Sequence, residues 1–569
     1  MNPVIENPLY YLHNFQFVLD WVAERYGDLL NGEEHAFIGN FRRLPTRAQA
    51  LLVRLVMRKA NFFRLSKLRY GEIGDIATAL APLIELNWVK LDPELSVQEL
   101  FDVLLKSEVG QVFSLSTREA ALRKDDQLLL ISERAIDIKP FSCWAPSVGD
   151  QLLQLTVKAL CDRLRLIFFG NSYQDWSEFV LTELGIYDYE VIPFTPASRG
   201  FQSRQDIDDY LALDACRTLF DEDVEIEQLI VQLQEIQSNN PWIARRRASL
   251  VFQLGQALEK AKDWSAALSV YALDNALGTR VRSIRVLEKN GQHTAALQLL
   301  QQALDKPESE AEIQQLRRGE ARLMRKAGAA KRDVPVQKKT SAEAASIQLC
   351  LPMPHAMLSV EQIVQAHLHT DDTPVFYVEN TLINSLFGLL CWPAIFKPLP
   401  GAFFHPFHRG PVDLTSADFH QRREADFAAC FALLDNGDYG AAIRQTFREK
   451  AGKQSPFVAW GVIEEAIIEI ALQCIPAAHL RHLFERILAD IKVNRNGFPD
   501  LIQFWPQERR YCMIEVKAPG DKLQDNQLRF MDFCARHELP VRVCYVTWDS
   551  QYHNQNQYEC HNVEQVEAP

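Results

Sequence analysis

The sequence lacks several features that would place it in common classes of protein. Its eleven cysteines include no C-x-x-C pair, which argues against a disulfide framework and against a cysteine zinc site. No basic segment followed by an apolar run opens the chain, so no signal peptide is expected. The longest uncharged apolar stretch, 380–396, contains Asn384 and Pro393 and is shorter than the roughly 20 apolar residues of a spanning helix. These absences predict a cytoplasmic protein that does not cross a membrane, and 380–396 is expected to be a buried helix.

Acidic residues are missing from one segment of an otherwise acidic chain. The formal net charge is −13, yet no Asp or Glu occurs between positions 42 and 69. A solvated helical face would explain such a segment, but a soluble helix usually mixes signs because pairs at i and i+4 stabilise it. The missing acids therefore favour a surface that contacts phosphate groups. The basic residues of this segment are Arg42, Arg43, Arg47, Arg54, Arg58, Lys59, Arg64, Lys67 and Arg69.

Length and patterning predict a multidomain, mostly helical chain. At 569 residues it exceeds what one hydrophobic core usually supports. Positions 1–90 are expected to form a helical, wing-like DNA-binding region. Positions 91–215 contain short paired helices with a basic second member, which suits a grip on the DNA backbone but is explained equally well by ordinary packing. A polar tract at 331–346 has the composition of a linker, and the chemistry is expected after it, in 347–569.

A degenerate repeat occupies 216–330. Two Ala-Ala-Leu triplets stand 29 residues apart, each after a turn that contains Asp or Gly. Small residues at the crossing of two helices are typical of tetratricopeptide-like hairpins, although the usual period is about 34 residues. The region is therefore interpreted as a spacer or a partner surface.

Two apolar runs near the C-terminus predict a β-hairpin. They flank the polar turn Pro506–Arg510, with Asp500 at the start of the first strand. Glu515 and Lys517 stand two residues apart on the second strand, so both side chains share one face. A carboxylate at the start of one strand can then meet a Glu near the end of its partner.

The chemistry that fits this arrangement is metal-assisted hydrolysis of a phosphodiester. Carboxylate oxygens hold Mg²⁺ or Mn²⁺, as one or two ions, and the metal lowers the pKa of a bound water. Lys517 would orient that water or offset charge on the phosphate. Taken singly, Asp500 could cap a turn, and Glu515 with Lys517 could form an exposed strand face. The combination is harder to dismiss, because two charged residues interrupt an apolar strand.

These residues also carry a resemblance to a known family. GFPD at 497–500, EVKAPGD at 515–521 and Gln527 resemble the virus-type replication-repair nuclease (VRR-NUC) module, a branch of the P-D…(D/E)-x-K restriction-endonuclease-like fold. YVEN at 377–380 leading into LFGLLCW at 386–392 resembles the Fanconi-associated nuclease family. The stretch from Leu44 through LRYGEI at 68–73 to the helix pair near 95 resembles that family as well.

The resemblance implies a fold and a function. It implies a SAP-like unit within 91–215, tetratricopeptide-like repeats, and an α/β nuclease domain whose VRR-NUC core spans about 450–550. It further implies a structure-selective nuclease that cuts 5′ flaps and trims DNA from 5′ to 3′ during repair of branched or crosslinked DNA. The partner would be branched or 5′ flap DNA, with the protein at the nucleoid when bound. No ubiquitin-binding finger is seen, and a monomer is favoured.

Roles for single residues also follow from the resemblance. Asp500 and Glu515 resemble the family's metal ligands, with the carbonyl of Val516 completing the metal shell. Lys517 resembles its catalytic lysine, and Glu379 its additional acidic ligand on a helix.

Residues around these ligands are given roles by the same resemblance. Gln527 matches a recurrent active-site glutamine. Lys492 and Arg495 stand where the family has basic residues that receive a 5′ phosphate, and Asn526 stands where a further basic residue is expected.

Other readings stay open on the residues alone. A non-catalytic DNA-junction scaffold, whose repeats recruit partners, is the main alternative to a nuclease, and a dimeric junction resolvase is a third. The intact set of Asp500, Glu515 and Lys517 favours the nuclease. His405 and His408 are interpreted as parts of a packed loop and not as metal ligands.

Overall fold

The computed structural model describes residues 7–134, 137–174, 179, 187–222, 226–274, 278–329, 346–352 and 358–549. These residues belong to two units, which comprise Met1–Tyr187 with Thr195–Ile207, and Asp188–Phe194 with Asp208–Pro569. The predicted linker at 331–346 lies outside the described residues except for Ser346, which begins a strand. Among the described residues, no helix combines the length and apolar character that crossing a membrane requires.

The first unit begins with helices that pack beside a small sheet. Strands β1 (Phe62–Arg64), β2 (Val89–Leu91) and β5 (Leu152–Leu155) form an antiparallel sheet in the order β1-β5-β2. Asp75 starts one of the helices by accepting hydrogen bonds from the backbone N–H groups of Ala77 and Thr78, which satisfies donors that a helix start leaves unpaired. The described helices of this unit outside positions 94–140 are Tyr10–Tyr26, Gly32–Arg43, Thr46–Val56, Ile76–Glu85, Phe141–Trp144 and Lys158–Phe169.

Four short helices lie between the strand pair β3 (Glu94–Leu95) and β4 (Lys139–Pro140). Reciprocal capping boxes at Ser96 with Glu99 and at Ser116 with Glu119 begin two of them, and such boxes satisfy two helix-end donors each. The helices are Val97–Val103, Lys106–Val112, Thr117–Ala121 and Lys124–Ser132.

The first half of the second unit consists of helical hairpins, as the repeat predicts. Gly255 allows a close crossing in the first hairpin, because a methyl group there would overlap the ring of Tyr271. The helices from the unit boundary onward are Arg204–Asp221, Ile226–Glu235, Pro241–Ala261, Trp264–Tyr271, Thr279–Lys289, His293–Asp305 and Glu310–Lys326.

A five-stranded mixed sheet forms the centre of the second half. Its strands are β6 (Ser346–Pro352), β7 (Val375–Tyr377), β8 (Leu501–Trp505), β9 (Arg510–Lys517) and β10 (Val541–Asp549). The order is β6-β10-β9-β8-β7, in which β10 runs parallel to β6 and β9 and the other pairs are antiparallel. Ile502 and Phe504 pack into one core and Leu501 into another, so helices cover both faces of the sheet.

The apolar stretch at 380–396 is buried as predicted, although it forms two helices. All nine residues of Leu382–Leu390 are buried, and Trp392–Ile395 follows it. Gly388 lets this helix approach Phe457, since a Cβ at Gly388 would lie 2.7 Å from the Cβ of Phe457. The remaining helices are Val360–Leu368, Glu424–Asn436, Tyr439–Glu449, Glu465–Cys474, Ala477–Ala489, Ile491–Asn494 and Asp525–Arg536.

Candidate active site

The predicted hairpin brings the candidate residues together at one end of β8 and β9. Leu501 pairs with Ile514 at that end, and Trp505 pairs with Arg510 at the turn. Asp500, which directly precedes β8, therefore lies beside the last residues of β9. Its carboxylate Oδ2 accepts a hydrogen bond of 2.8 Å from the backbone N–H of Val516.

The main chain of Asp500 is fixed as well as its side chain. Its carbonyl oxygen accepts a 2.8 Å hydrogen bond from the N–H of Val378, just after β7. Three adjacent strands thus determine where the carboxylate stands, and Oδ1 has no hydrogen bond from any described residue. A ligand held on rigid strands keeps its geometry better than one on a loop.

Glu515 and Lys517 form a buried pair on β9. Glu515 is 1% exposed and Lys517 is 7% exposed. The Nζ of Lys517 donates to the Oε1 of Glu515 over 2.8 Å, and the Nε2 of Gln527 donates to the same oxygen. Gln527 reaches the site from the helix Asp525–Arg536. Two donors therefore orient one carboxylate oxygen and leave the other available.

The carboxyl groups of Asp500 and Glu515 lie in an environment that disfavours their negative charge unless a cation is bound nearby. Burial raises the pKa of Asp500 to about 6, and the charges of Glu361 and Glu379 act in the same direction. Burial also raises the pKa of Glu515 to about 7, with a further contribution from Asp500 that Lys517 opposes. One ammonium does not balance the buried carboxylate of Glu515, the half-buried carboxylate of Asp500 and their acidic neighbours. A divalent ion would supply the missing positive charge.

Glu379 does not occupy the place that the sequence predicted. It stands in the turn between β7 and the helix Leu382–Leu390, two residues after β7 ends, and its side chain is exposed. The expectation that Glu379 lies on a helix is therefore wrong, because the helix begins only at Leu382. The side chain accepts hydrogen bonds from the hydroxyl of Tyr377 (2.7 Å) and from the Nδ2 of Asn380 (3.2 Å). Its charge nevertheless acts on Asp500 and Glu515.

Two asparagines join the Glu379 turn to the loop that precedes Asp500. Asn380 adopts a left-handed φ of 52° and accepts a 3.1 Å hydrogen bond on Oδ1 from the N–H of Phe498. Asn384 donates from Nδ2 to the carbonyls of Asn380 and Arg495, both over 2.8 Å. These bonds place Glu379 beside Asp500 although more than a hundred residues separate them in the chain.

The donor set fits a hard divalent cation. Asp500 and Glu515 provide carboxylate oxygens and Val516 a main-chain carbonyl on the same strand, which are the ligand types that Mg²⁺ and Mn²⁺ prefer. Within the described residues, no three acidic, histidine or cysteine side chains form a group that could hold a metal ion by themselves. Mg²⁺ sites commonly use one or two carboxylates and complete the shell with water and substrate phosphate.

The basic segment at 42–69 divides into two groups. Arg54 and Arg64 are half-buried and ion-paired: Arg54 pairs with Glu72, and Arg64 pairs with Glu108 and Asp150. The prediction that these two arginines face phosphate does not match their surroundings, because their charge is already neutralised.

The other basic residues of the segment are exposed. Arg42 pairs with Asp20 at the surface, and Arg43 bonds to the side chain of Asn40. Arg58 lies over the ring of Tyr70. Those with no ion pair among the described residues are Arg43, Arg47, Arg58, Lys59, Lys67 and Arg69.

Lys492 and Arg495 lie in the segment just before Asp500. Lys492 is exposed on the short helix Ile491–Asn494, and Arg495 is half-buried directly after it. Asn526 packs against Gly497, where an added Cβ would lie 2.8 Å from its Nδ2. The predicted phosphate-receiving residues are therefore next to the hairpin, while Asn526 helps to support the loop.

His405 and His408 belong to a packed loop, as predicted. Their rings stack with centroids 3.9 Å apart. The Nδ1 of His405 accepts from the N–H of Phe407, and the Nε2 of His408 accepts from the N–H of Phe404.

Sequence reasoning missed two charged residues. Glu361, near the start of the helix Val360–Leu368, contributes negative charge at Asp500. Arg409 lines a cavity with Asn380 and Arg495. Neither belongs to a recognisable motif, and only the folded chain brings Glu361 near Asp500 and Arg409 near Asn380 and Arg495.

Comparison with known proteins identifies the family. The chain matches the models of the FAN1 HTH domain over residues 9–90, the Fanconi anemia-associated nuclease SAP domain over 94–144, and the VRR-NUC domain over 434–548. A Fanconi-associated nuclease 1 homolog of Pseudomonas aeruginosa is 50% identical over 548 residues, which cover 96% of this chain and 97% of that protein. The chain belongs to the Fanconi-associated nuclease family. The human Fanconi-associated nuclease 1 is 23% identical over 649 residues, 94% of this chain and 62% of the human protein.

Solved structures of the family agree with the fold. The chain is similar to crystal structures of paFAN1 bound to 5′ flap DNA with a gap, one with a two-nucleotide flap and one with a one-nucleotide flap. The TM-scores are 0.87 and 0.85 at 49% sequence identity, over 96% and 95% of this chain and all of the paFAN1 chains. The predicted family and fold class are thereby confirmed.

Proposed function

We propose that this chain is a 5′ flap endonuclease and 5′ to 3′ exonuclease that hydrolyses DNA phosphodiesters with Mg²⁺ or Mn²⁺. The observation that carries the proposal is the assembly of Asp500, Glu515 and Lys517 at one end of the hairpin, in a member of a nuclease family. The paFAN1 structures with bound 5′ flap DNA support the choice of substrate.

The residues that would hold the metal are Asp500 and Glu515, with the carbonyl of Val516. Glu379 would join them after release from Tyr377, to which it is now hydrogen-bonded. When bound, the ion supplies Lewis acidity to the phosphoryl group and acidifies a ligand water. Binding requires both carboxyl groups to be ionised, so it competes with the protons that burial favours.

Lys517 and Gln527 act through position and charge. The Nζ of Lys517 is held by Glu515 at 2.8 Å and cannot swing freely into solvent. A fixed ammonium stabilises negative charge that grows on the phosphate during attack, because it needs no reorganisation at that moment. Gln527 positions Glu515 by donating to its Oε1.

Basic residues at the surface would supply most of the DNA affinity. In the first unit these are the exposed members of 42–69 without an ion pair, and in the second unit they are the exposed Lys492 and the half-buried Arg495. Phosphate contacts position DNA without reading its sequence, which suits an enzyme selected by the shape of its substrate. The non-catalytic scaffold is disfavoured, since a retired site has no reason to keep two carboxylates and a buried lysine in register.

A panel of labelled substrates tests the proposal. The full chain is incubated with 5′ flap, 3′ flap, nicked and blunt duplex DNA in Mg²⁺, in Mn²⁺ and in chelator. We expect cleavage near the base of the 5′ flap, stepwise trimming from a 5′ end, and no cleavage in chelator. Preference for the 3′ flap, or equal cleavage in chelator, would refute the proposed function.

A further inference from the structure

The last helix of the helical hairpins contacts the helix that carries Gln527. The first of these, Glu310–Lys326, is the repeat helix, and the second, Asp525–Arg536, is the glutamine helix. Both belong to the second unit. Arg318 and Asp525, which the contact brings together, are 207 residues apart in the chain. The contact therefore joins the hairpins directly to an element of the candidate active site.

The two helices run antiparallel, and each uses one face for the contact. Side chains that are four or eleven residues apart lie on the same face of a helix. Positions 310, 314 and 318 of the repeat helix have such a spacing, and so do positions 525, 529 and 536 of the glutamine helix. From one end of the contact to the other, the hydrogen-bonded pairs are Glu310 with Arg536, Gln314 with Arg529, and Arg318 with Asp525.

Asp525 is held through both its side chain and its main chain. Two amino groups of Arg318 donate hydrogen bonds to the two carboxylate oxygens of Asp525, and such a bidentate pair fixes geometry as well as charge. The Nε2 of Gln314 donates to the carbonyl oxygen of Asp525 over 3.3 Å. Asp525 is the first residue of the glutamine helix. The repeat helix therefore positions the first turn of the glutamine helix.

Gln527 lies in the same turn, on the opposite face of the helix. Successive residues of a helix are about 100° apart, so Gln527 points about 200° away from Asp525. Its Oε1 accepts a 2.8 Å hydrogen bond from the N–H of Gln524, and its Nε2 donates to the Oε1 of Glu515. Hydrogen bonds weaken steeply when their geometry is disturbed. A displaced first turn would therefore weaken the bond that orients Glu515.

We propose that Arg318 and Gln314 are positioning residues of the nuclease site, because they hold the glutamine helix where Gln527 reaches Glu515. The helical hairpins then take part in catalysis and are more than a spacer or a partner surface. The inference rests on the proposed nuclease function. The side chains of Arg318 and Asp525 are 53% and 51% exposed, so their ion pair adds little to global stability. Its loss should change catalysis more than melting.

Arg318→Glu tests the proposal by placing a carboxylate against Asp525. Single-turnover cleavage of a labelled 5′ flap is measured in saturating Mn²⁺, the Kd for the flap is measured in Ca²⁺, and melting is followed without metal. We expect the rate to fall roughly fivefold to tenfold, the size of a lost surface ion pair together with the repulsion that replaces it. The Kd and the melting temperature should stay close to those of wild type. A wild-type rate would overturn the proposal.

Arg322→Glu is the matched control on the same helix. Arg322 lies one turn after Arg318, and its side chain is 57% exposed. Its Nε and Nη2 donate over 2.9 and 3.0 Å to Glu288, which belongs to the hairpins and not to the glutamine helix. This variant should keep the wild-type rate. An equal loss of rate in both variants would overturn the proposal, because it would show a general disturbance of the hairpins.

A double-mutant cycle tests the route through Gln527. Gln527→Ala removes the group that Arg318 is proposed to position, and it should itself slow cleavage. Arg318→Glu should then cause no further loss in the Gln527→Ala background, because residues that act through one contact are not additive. Additive losses would overturn the proposed route.

Hydrogen–deuterium exchange of the full chain without metal tests the contact independently of cleavage. Peptides that cover 525–536 should exchange faster in Arg318→Glu than in wild type and in Arg322→Glu, because a loosened helix opens more often. Equal exchange in all three proteins would overturn the positioning role. Failure of the wild-type chain to cleave a flap would instead refute the proposed function, whatever the exchange shows.

Discussion

Replacement of Lys517 by methionine removes the ammonium from the site while keeping most of the side-chain volume. Lys517 is 7% exposed and lies 2.8 Å from the Oε1 of Glu515, which is itself 1% exposed. The substitution therefore leaves a buried carboxylate with Gln527 as its one remaining side-chain donor. Both the catalytic step and the ionisation of Glu515 are expected to change.

The expected losses of catalytic rate and of stability differ in size. Loss of one preorganised charge near the reacting phosphate costs roughly 100-fold to 1,000-fold in kcat. Breaking a buried ion pair costs about 3–5 kcal/mol when the remaining charge stays ionised. Glu515 avoids much of that cost, because its pKa is already raised to about 7 and it can take up a proton. We therefore expect a large loss of rate and a small loss of metal-free stability at pH 7.

The pH dependence separates the two effects. Lys517 lowers the pKa of Glu515, so its removal raises that pKa further. Because the metal binds the ionised carboxylate, apparent metal affinity of Lys517→Met should be weakest at low pH and recover as the pH rises above 7. The rate at saturating Mn²⁺ and pH 8.5 should stay far below wild type.

Single-turnover cleavage of a labelled 5′ flap, titrated with Mn²⁺ at pH 6.5, 7.5 and 8.5, measures both quantities. Lys522→Met, an exposed lysine five residues on, is the control and should keep the wild-type rate and metal dependence. Full recovery of the rate by Lys517→Met at high pH and saturating Mn²⁺ would show that the lysine serves only to ionise Glu515.

Three further perturbations probe other parts of the molecule. Glu379→Gln should melt normally because the side chain is exposed, and lose flap cleavage at low metal with partial recovery in excess Mn²⁺; retained cleavage at low metal would remove Glu379 from the site. Lys59→Ala with Lys67→Ala should change unfolding free energy by less than about 0.5 kcal/mol, weaken DNA binding and flatten its salt dependence; an unchanged Kd would contradict a phosphate-binding role. Burial lowers the pKa of His408 to about 3. The neutral ring therefore makes its full contribution to the free energy of unfolding above about pH 6.5, the pKa of histidine in the unfolded chain, and this contribution is lost as the pH falls towards 3. Between pH 6.5 and 5, the free energy of unfolding measured by calorimetry should fall by about 1–2 kcal/mol less in His408→Gln than in wild type. An unchanged dependence of that free energy on pH would show that His408 is not the cause.

The central hairpin could be predicted because its information is local. The alternation of residues with a period of two predicts both strands, and Asp500, Glu515 and Lys517 lie at the positions that this alternation predicts. The antiparallel register then follows from the turn, so Asp500 meets the end of β9 without any long-range knowledge.

Features that depend on distant contacts could not be predicted in the same way. The uncharged stretch 380–396 predicts a helix from its first residue, but Asn380 adopts a left-handed conformation and the helix begins only at Leu382. Asn380 instead bonds to Phe498, 118 residues away. No local pattern reports such a bond.

The basic segment shows the same limit. Its lack of acids favours a phosphate-contacting surface, yet Arg64 pairs with Glu108 and Asp150, which are 44 and 86 residues away. Arg54 likewise finds Glu72, 18 residues away. A count of the charges in one stretch of sequence therefore overestimates the number of cations that are available to bind phosphate.

Asp500→Asn and Glu515→Gln test the central claim most directly. Each removes the negative charge of one proposed metal ligand while preserving shape, and each is compared with wild type for flap cleavage in Mg²⁺ and for flap binding in Ca²⁺. We predict that cleavage falls by at least roughly 1,000-fold while the Kd for flap DNA stays within about threefold of wild type, because most affinity comes from phosphate contacts elsewhere. Wild-type cleavage by either variant would contradict the assignment of the nuclease site to this end of the hairpin.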